Sequence, residues 1–242
     1  MDAKLPLITL SGALVKIEQV RNFSWKSETE YDVDYIEREF LLSDIEKVYY
    51  IITPFSEREW PAHTMISFDI KDQEPIVFSA EIRKEKWESF DAFKGILNQF
   101  ELMYLFSMEE DIIKLRTNYR KNEVYMYPIA ASSDWIQNLF VSIINRTQEL
   151  AVKPEFYNTI LNNCTTNLLD HVNKVLPKSR RFFAGKYTFL PSYSDTLLYD
   201  NALIDNRKEN YQATREFYRI DMRAREMAEW DNFSQAIRDF GR

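Results

Sequence analysis

Residues 63–83, HTMISFDIKDQEPIVFSAEIR, restrict the fold more than any other stretch. Two runs rich in β-branched and aromatic residues flank the polar segment KDQEP, and such runs joined by a short polar turn form an antiparallel hairpin. A turn centred near Asp72 and Gln73 sets His63 roughly opposite Glu81 and Ile82. Side chains alternate along a strand, so a slip of one residue would carry His63 to the other face of the sheet.

The segments LVKIEQV, YDVDYIEREFLL and KVYYIITPF also read as strands, with positions 31, 33 and 35 on one face. Further on the pattern alternates. SFDAFKGILNQ is helical, FELMYLF extended, MEEDIIKLRTNY helical and EVYMYPI extended. SSDWIQNLFVSIINRTQELAV is a long amphipathic helix with Ser132 or Ser133 as N-cap. After Pro177 the aromatic-rich KSRRFFAGKYTFLPSYSDTLLYD wraps the core irregularly, and a charged helical stretch follows from Asn210 to Glu229. The expected fold class is α+β, with helices packed on a mainly antiparallel sheet. With 242 residues, 45% of them hydrophobic, the chain can bury one core, and we expect a single domain over 1–242.

Composition removes several function classes. The net charge of −7 argues against a nucleic-acid partner, because phosphate binding needs clustered cations, and KSRR at 178–181 reads as solvated surface. The four glycines, Gly12, Gly95, Gly185 and Gly241, are too dispersed for a phosphate-cradling loop, so no nucleotide cofactor is expected. One cysteine permits neither an intramolecular disulfide nor a cysteine-rich zinc site. The acidic run Glu109 to Asp111 reads as a solvated helix face or helix N-terminal charge, and no metal set is expected. The N-terminus lacks the apolar core of a signal peptide, and no run of about 18 apolar residues occurs, so the chain reads as soluble. It equally fits a soluble part of a larger membrane protein, and the cytoplasm stays open as its location. The run RRFFAGKYTF is read as core packing, with peripheral contact to a membrane or an acyl chain as the alternative.

The one cysteine, Cys164, lies in EFYNTILNNCTTNLLDHV and admits two readings. In the first, Asn163 caps a helix that starts at Cys164, so the thiol sits in the first turn, where free N–H groups and the helix dipole favour a thiolate. In the second, Pro154 starts one continuous helix whose apolar stripe of Tyr157, Ile160, Leu161, Cys164, Leu168 and Val172 makes the cysteine a buried hydrophobe. A nucleophilic thiol needs a base. His171 is seven residues on, about 10 Å along a helix and out of direct reach. His63 opens a strand, and the next strand offers Glu81 to orient it. Arg83 and Arg116, each near an element end, suit an anionic ligand or an internal ion pair.

VRNFSW, AHTMISFDI, FSAEIRKEKWESFDAFKGILNQFELMYLFSMEEDIIKLRTN, VYMYPI, PEFYNTILNNCTTN and NFSQAIR together resemble the bacterial Lnb N-terminal periplasmic domain family, formerly a domain-of-unknown-function family. The resemblance runs through nearly the whole chain. It implies a papain-like cysteine fold in circularly permuted order, similar to NlpC-type and lecithin:retinol acyltransferase-like proteins, in which the histidine strand precedes the cysteine helix. It further implies a periplasmic or membrane-associated location. The family's namesake is linked to lipoprotein N-acylation, so the implied chemistry is acyl transfer through a thioester on Cys164. Carried over, Cys164 is the nucleophile, His63 the base and Glu81 the orienting acid, within a His/Cys core at 63–176 between N-terminal strands at 1–62 and a C-terminal wrap at 177–242. Helix-start geometry adds Asn163 and the Cys164 N–H as an oxyanion site, with Tyr157 and Arg83 as candidate substrate contacts. The sequence departs from the namesake in having no membrane-spanning stretch.

Three classes follow. The first is a thiol acyltransferase or hydrolase acting on an acyl-lipid, lipoprotein or peptide, including cell-wall amide bonds. The second is a binding module that docks a lipid or protein through Phe182 to Tyr193, and the third is a structural accessory domain. A deep apolar groove beside Cys164 favours acyl chains, and an open polar cleft favours peptides.

Overall fold

The computed structural model describes residues 4–55, 61–83, 100–183, 191–204 and 208–240. Its strands are β1 (Leu7–Ser11), β2 (Leu14–Arg21), β3 (Ser24–Trp25), β4 (Tyr31–Asp32), β5 (Tyr35–Leu41), β6 (Ile45–Pro54), β7 (Ala62–Ile70), β8 (Gln73–Arg83), β9 (Glu101–Met108) and β10 (Tyr125–Pro128). Its helices are α1 (Glu109–Lys114), α2 (Ser133–Val152), α3 (Cys164–Val175), α4 (Ser194–Asp200), α5 (Tyr211–Phe217), α6 (Asp221–Glu226) and α7 (Phe233–Ile237). The fold is α+β. The main sheet runs β1-β2-β9-β8-β7-β6-β10, with β5 also paired to β2. Only β2 with β9 is parallel among the described strand pairs.

The hairpin turn is tighter than the sequence suggests. Lys71 and Asp72 alone separate the strands, Asp72 takes a positive φ of 56°, and β8 already begins at Gln73. An irregularity between Phe68 and Ile70 absorbs the difference. Met65 then faces Ser79 and Ser67 faces Val77, a register that sets His63 against Glu81 when continued two residues. Pairing of β7 with β8 stops at Met65, while β8 stays paired with β9 as far as Arg83. The two strands part beside His63.

Alternation divides the core into two layers. On one face, Ile66, Phe68, Phe78, Tyr104 and Phe106 pack under α2 and α3, whose Phe140, Ile143 and Leu168 are buried. On the other, Met65, Val77 and Tyr49 pack against Ile112 and Ile113 of α1 and against Ile220, Ala224, Phe233 and Ile237 of the C-terminal helices. Burying a side chain of this size contributes about 1.5–3 kcal/mol. Sheet and helices therefore stabilise each other.

Several expectations change. The run 31–42 is divided between β4, which pairs with β3, and β5, which pairs with β2. Tyr31 and Tyr35 pack on Phe23, but Val33 between them is exposed. The stretch 210–229 is two short helices, α5 and α6, rather than one. Glu109 and Asp111 are buried instead of solvated. Asp111 accepts from Arg21, the Phe23 N–H and the Trp25 indole, and Glu109 from Ser67 and Arg238. Buried charges need such partners. The expected helix in SFDAFKGILNQ lies outside the described residues, apart from its surroundings in β8 and β9.

Candidate active site

Helix α3 starts at Cys164, so the continuous helix from Pro154 does not form. Asn163 is extended (φ −110°, ψ −178°), its Oδ1 accepts the Thr166 N–H, and the Thr166 hydroxyl accepts the Asn163 N–H. This reciprocal cap stops the helix one residue before the cysteine. The preceding loop is held by the Asn158 carboxamide, which accepts from Ile160 and Leu161, leaving Leu161 exposed rather than in an apolar stripe.

Cys164 is 4% exposed, its sulfur 3.9 Å from the Ala62 carbonyl at the start of β7. By alternation Thr64 faces α3, where its hydroxyl lies 3.2 Å from that of Thr165. His63 faces the opposite layer with Ser79 and Glu81. The thiol, coming from the helical layer, hydrogen-bonds the imidazole at the parting of β7 and β8. His63 Nε2 is 2.6 Å from Ser79 Oγ and 3.0 Å from Glu81 Oε1. Ser79 donates to the same Glu81 oxygen at 2.8 Å. Nε2 is thus committed to Ser79 and Glu81.

Burial by itself pushes the thiol up and the imidazole down, but the neighbouring charges reverse both effects. Burial of Cys164 is outweighed by the His63 imidazolium, their hydrogen bond, and the N–H and hydroxyl of Thr64, which pull the thiol down to about 7. Burial of His63 is outweighed by Glu81 and by the Cys164 thiolate, which lift it to about 9. Partial burial raises Glu81, yet His63, Arg116 and Ser79 hold it well below the usual carboxylate range. The two groups titrate as a pair. The downward shift of the thiol and the upward shift of the imidazole both favour a thiolate facing an imidazolium.

The remaining candidates separate. Tyr157 is brought near: it senses the charges of Cys164 and Glu81, which add to burial in raising its pKa strongly. The Asn163 carboxamide is spent on the loop and helix, with Nδ2 donating to the Thr159 carbonyl at 2.8 Å, so it does not face the thiol as an oxyanion donor. Arg83 pairs with Glu101 at 3.2 Å and is not brought to the sulfur. His171 is buried elsewhere, between Tyr104 and Ser142 at 2.8 Å each. Sequence reasoning missed Ser79 and Thr64. The hairpin register, which put Ser79 two residues from Glu81 on the same face, carried the signal for Ser79, whereas Thr64 required knowing where the helix docks.

A mainly apolar cavity of about 240 Å³ is lined among others by Tyr50, Ile66, Trp135, Leu139, Leu168 and Thr165, the residue next to Cys164, which is not itself in the lining. Its wall meets the site through Tyr50, whose hydroxyl bonds Ser194 at 2.6 Å and also engages Thr64. No group of His, Cys, Asp and Glu able to hold a metal occurs among the described residues. Nor is any described helix long and apolar enough to cross a membrane.

The sequence model of the Lnb N-terminal periplasmic domain family matches residues 31–184, more than half the chain and a span containing Cys164, His63 and Glu81. No curated protein and no solved structure matches the chain.

Proposed function

Because the chain belongs to the Lnb N-terminal periplasmic domain family, we propose that it is a thiol acyltransferase or hydrolase working through an acyl-thioester on Cys164. The observation that carries this reading is the buried pairing of Cys164 with His63, itself held by Glu81 and Ser79. The thiolate attacks an ester or amide carbonyl. The tetrahedral oxyanion is received by the Cys164 N–H at the helix start, with the Tyr157 hydroxyl near it as a second donor. His63 gives its proton to the leaving oxygen or nitrogen, and the thioester forms. An amine or water then attacks, neutral His63 takes its proton, and the thiolate leaves.

The cavity favours an acyl chain over a peptide, since its lining is mainly apolar and includes Thr165, the residue next to the nucleophile. A lipid or lipoprotein acyl donor at a periplasmic site is consistent with this, within one unit spanning 1–242. A permuted papain-like order is supported by the sequence His63 on β7, then Cys164 on α3. The alternative reading as a cysteine peptidase or amidase predicts peptide rather than lipid donors.

The test uses the one thiol. Iodoacetamide labelling as a function of pH is expected to give an apparent thiol pKa well below the free value of about 8.5. Incubation with phospholipid or short-chain thioester donors is expected to add an acyl mass to Cys164 that hydroxylamine removes. A thiol that labels only on unfolding, or identically in His63→Ala, would overturn the reading in favour of a binding module.

A further inference from the structure

Behind Glu81 stands a cation that the Cys–His–Glu description leaves out. After α1 the chain enters a π-helical turn, Leu115–Tyr119, closed by the Arg120 N–H donating to the Leu115 carbonyl at 3.0 Å. Such turns are uncommon and concentrate at functional sites. The turn buries Arg116 at 5% exposure in the layer that contains His63, Ser79 and Glu81. Its guanidinium donates to the Ile112 carbonyl at 3.1 Å and approaches Glu81 Oε1 at 3.6 Å.

We propose that Arg116 is a positioning residue of this site: its buried guanidinium holds the Glu81 carboxylate against His63 from behind, so the thiol is activated by four residues rather than three. The inference rests on the reading of Cys164 and His63 given above.

Three observations carry it. The first is that all of the contacts converge on one oxygen. Glu81 Oε1 receives Ser79 at 2.8 Å, His63 at 3.0 Å and Arg116 at 3.6 Å. The shorter contacts go to the imidazole side, so the guanidinium supplies charge without drawing the carboxylate away. The second is that the nearby alternative partner is already committed. Both oxygens of Asp111 are taken by Arg21, the Phe23 N–H and the Trp25 indole. Among the described residues the only carboxylate in ion-pair range of Arg116 is Glu81. The third is that Glu81 is about a quarter exposed. Without a buried cation it can turn outward to water, and a carboxylate that leaves His63 no longer orients it.

The charges around the pair set the sign of the effect. Glu81 is faced by His63 from β7, Ser79 from its own strand, Arg116 from the π turn and Tyr157 from the loop before α3. Arg116 is faced by Glu81, Arg120, Arg21 and Asp111; burial and the two other arginines lower it to about 10, which leaves it a cation at neutral pH. Removing it frees Glu81, and a carboxylate that no longer faces His63 no longer stabilises the imidazolium that holds the thiol down, so the thiol pKa rises.

The experiment is the pH profile of iodoacetamide labelling in the native chain, Arg116→Met, Arg116→Gln, Arg116→Lys, Glu81→Gln and the double variant Glu81→Gln/Arg116→Met, each checked by circular dichroism and thermal melting. Arg116→Met is expected to raise the apparent thiol pKa by about one unit, roughly tenfold slower labelling at pH 6. Arg116→Lys is expected to restore most of the rate. The double variant should be no slower than Glu81→Gln alone, because Arg116 acts through Glu81. If Arg116→Met does not fold, Arg116→Gln, which keeps a donor for the Ile112 carbonyl, reads the same shift. A folded neutral variant with the native profile, or a double variant slowed by the product of the single effects, overturns the inference while leaving the Cys164 and His63 reading intact. A native thiol of ordinary pKa that ignores His63→Ala overturns both.

Discussion

His63 and His171 are both buried, lie on opposite faces of one sheet and each bond a serine, yet their surroundings shift them in opposite directions, His63 towards the imidazolium and His171 towards the neutral ring. His171 sits in α3 with Tyr104 and Ser142, and burial, helped by Lys174 and Arg146, depresses it to about 3. His63 meets the same desolvation but faces Glu81 and the Cys164 thiol, and is raised to about 9. Burial alone therefore does not decide what an imidazole does here. A carboxylate at 3.0 Å favours the protonated imidazole where burial alone would favour the neutral one.

The comparison can be broken first through stability. His171 has a folded pKa below its unfolded value of about 6.5, so the unfolded chain binds the extra proton and stability is lost as pH falls from about 6.5 towards 3. Urea titrations from pH 7 to 4 are expected to show an acid limb worth a few kcal/mol, and His171→Phe should flatten it while leaving thiol reactivity unchanged. An acid limb identical in both proteins would sink this account. His63 has the opposite sign: raised above the unfolded value, its contribution is complete below about pH 6.5 and lost as pH rises through about 9, so His63→Ala should erase an alkaline rather than an acid dependence.

The next largest effect is on the thiol itself. His63→Ala is expected to slow labelling of Cys164 at pH 6 by about 30-fold, as the thiol returns from about 7 towards the free-cysteine value of about 8.5. Labelling that follows the native pH profile would contradict the pairing. Glu81→Gln keeps the imidazole but removes its counter-charge, and about a tenfold loss is expected at the same pH. The smallest change is Ser79→Ala, which leaves the direct contact of His63 with Glu81 and is expected to cost about threefold. Should Ser79→Ala exceed Glu81→Gln, the serine rather than the carboxylate would be the partner that separates His63 from His171.

Much of this arrangement was legible before the coordinates. The alternation in HTMISFDI and IVFSAEIR, with the polar turn between them, was enough to set His63 near Glu81, because a short hairpin leaves few registers open. Asn163 before Cys164 was readable as a cap, because a side-chain acceptor beside the first free N–H groups is a local preference. The acidic run Glu109 to Asp111 does open a helix, but its burial was hidden, because local charge pattern carries no information about Arg21 and Arg238, each about 90 or more residues away in sequence. The division of 210–229 into α5 and α6 was equally hidden, since the break follows the Ile220 N–H bonding back to the Val124 carbonyl.

The sequence by itself determined the hairpin, the long helix behind Ser132 and the order of histidine before cysteine, and it offered the capped start at Cys164 as one of two readings. These depend on backbone preference and on periodicity, which act over a few residues. Only the tertiary structure decided that the pairing of β7 with β8 stops short of His63, that Cys164 from the helical layer is brought to that end of β7, that Thr165 beside it lines an apolar cavity, and that a buried Arg116 backs Glu81. Each of these depends on which distant surfaces pack together, and the charge of a buried group is set by what that packing brings within a few ångströms of it.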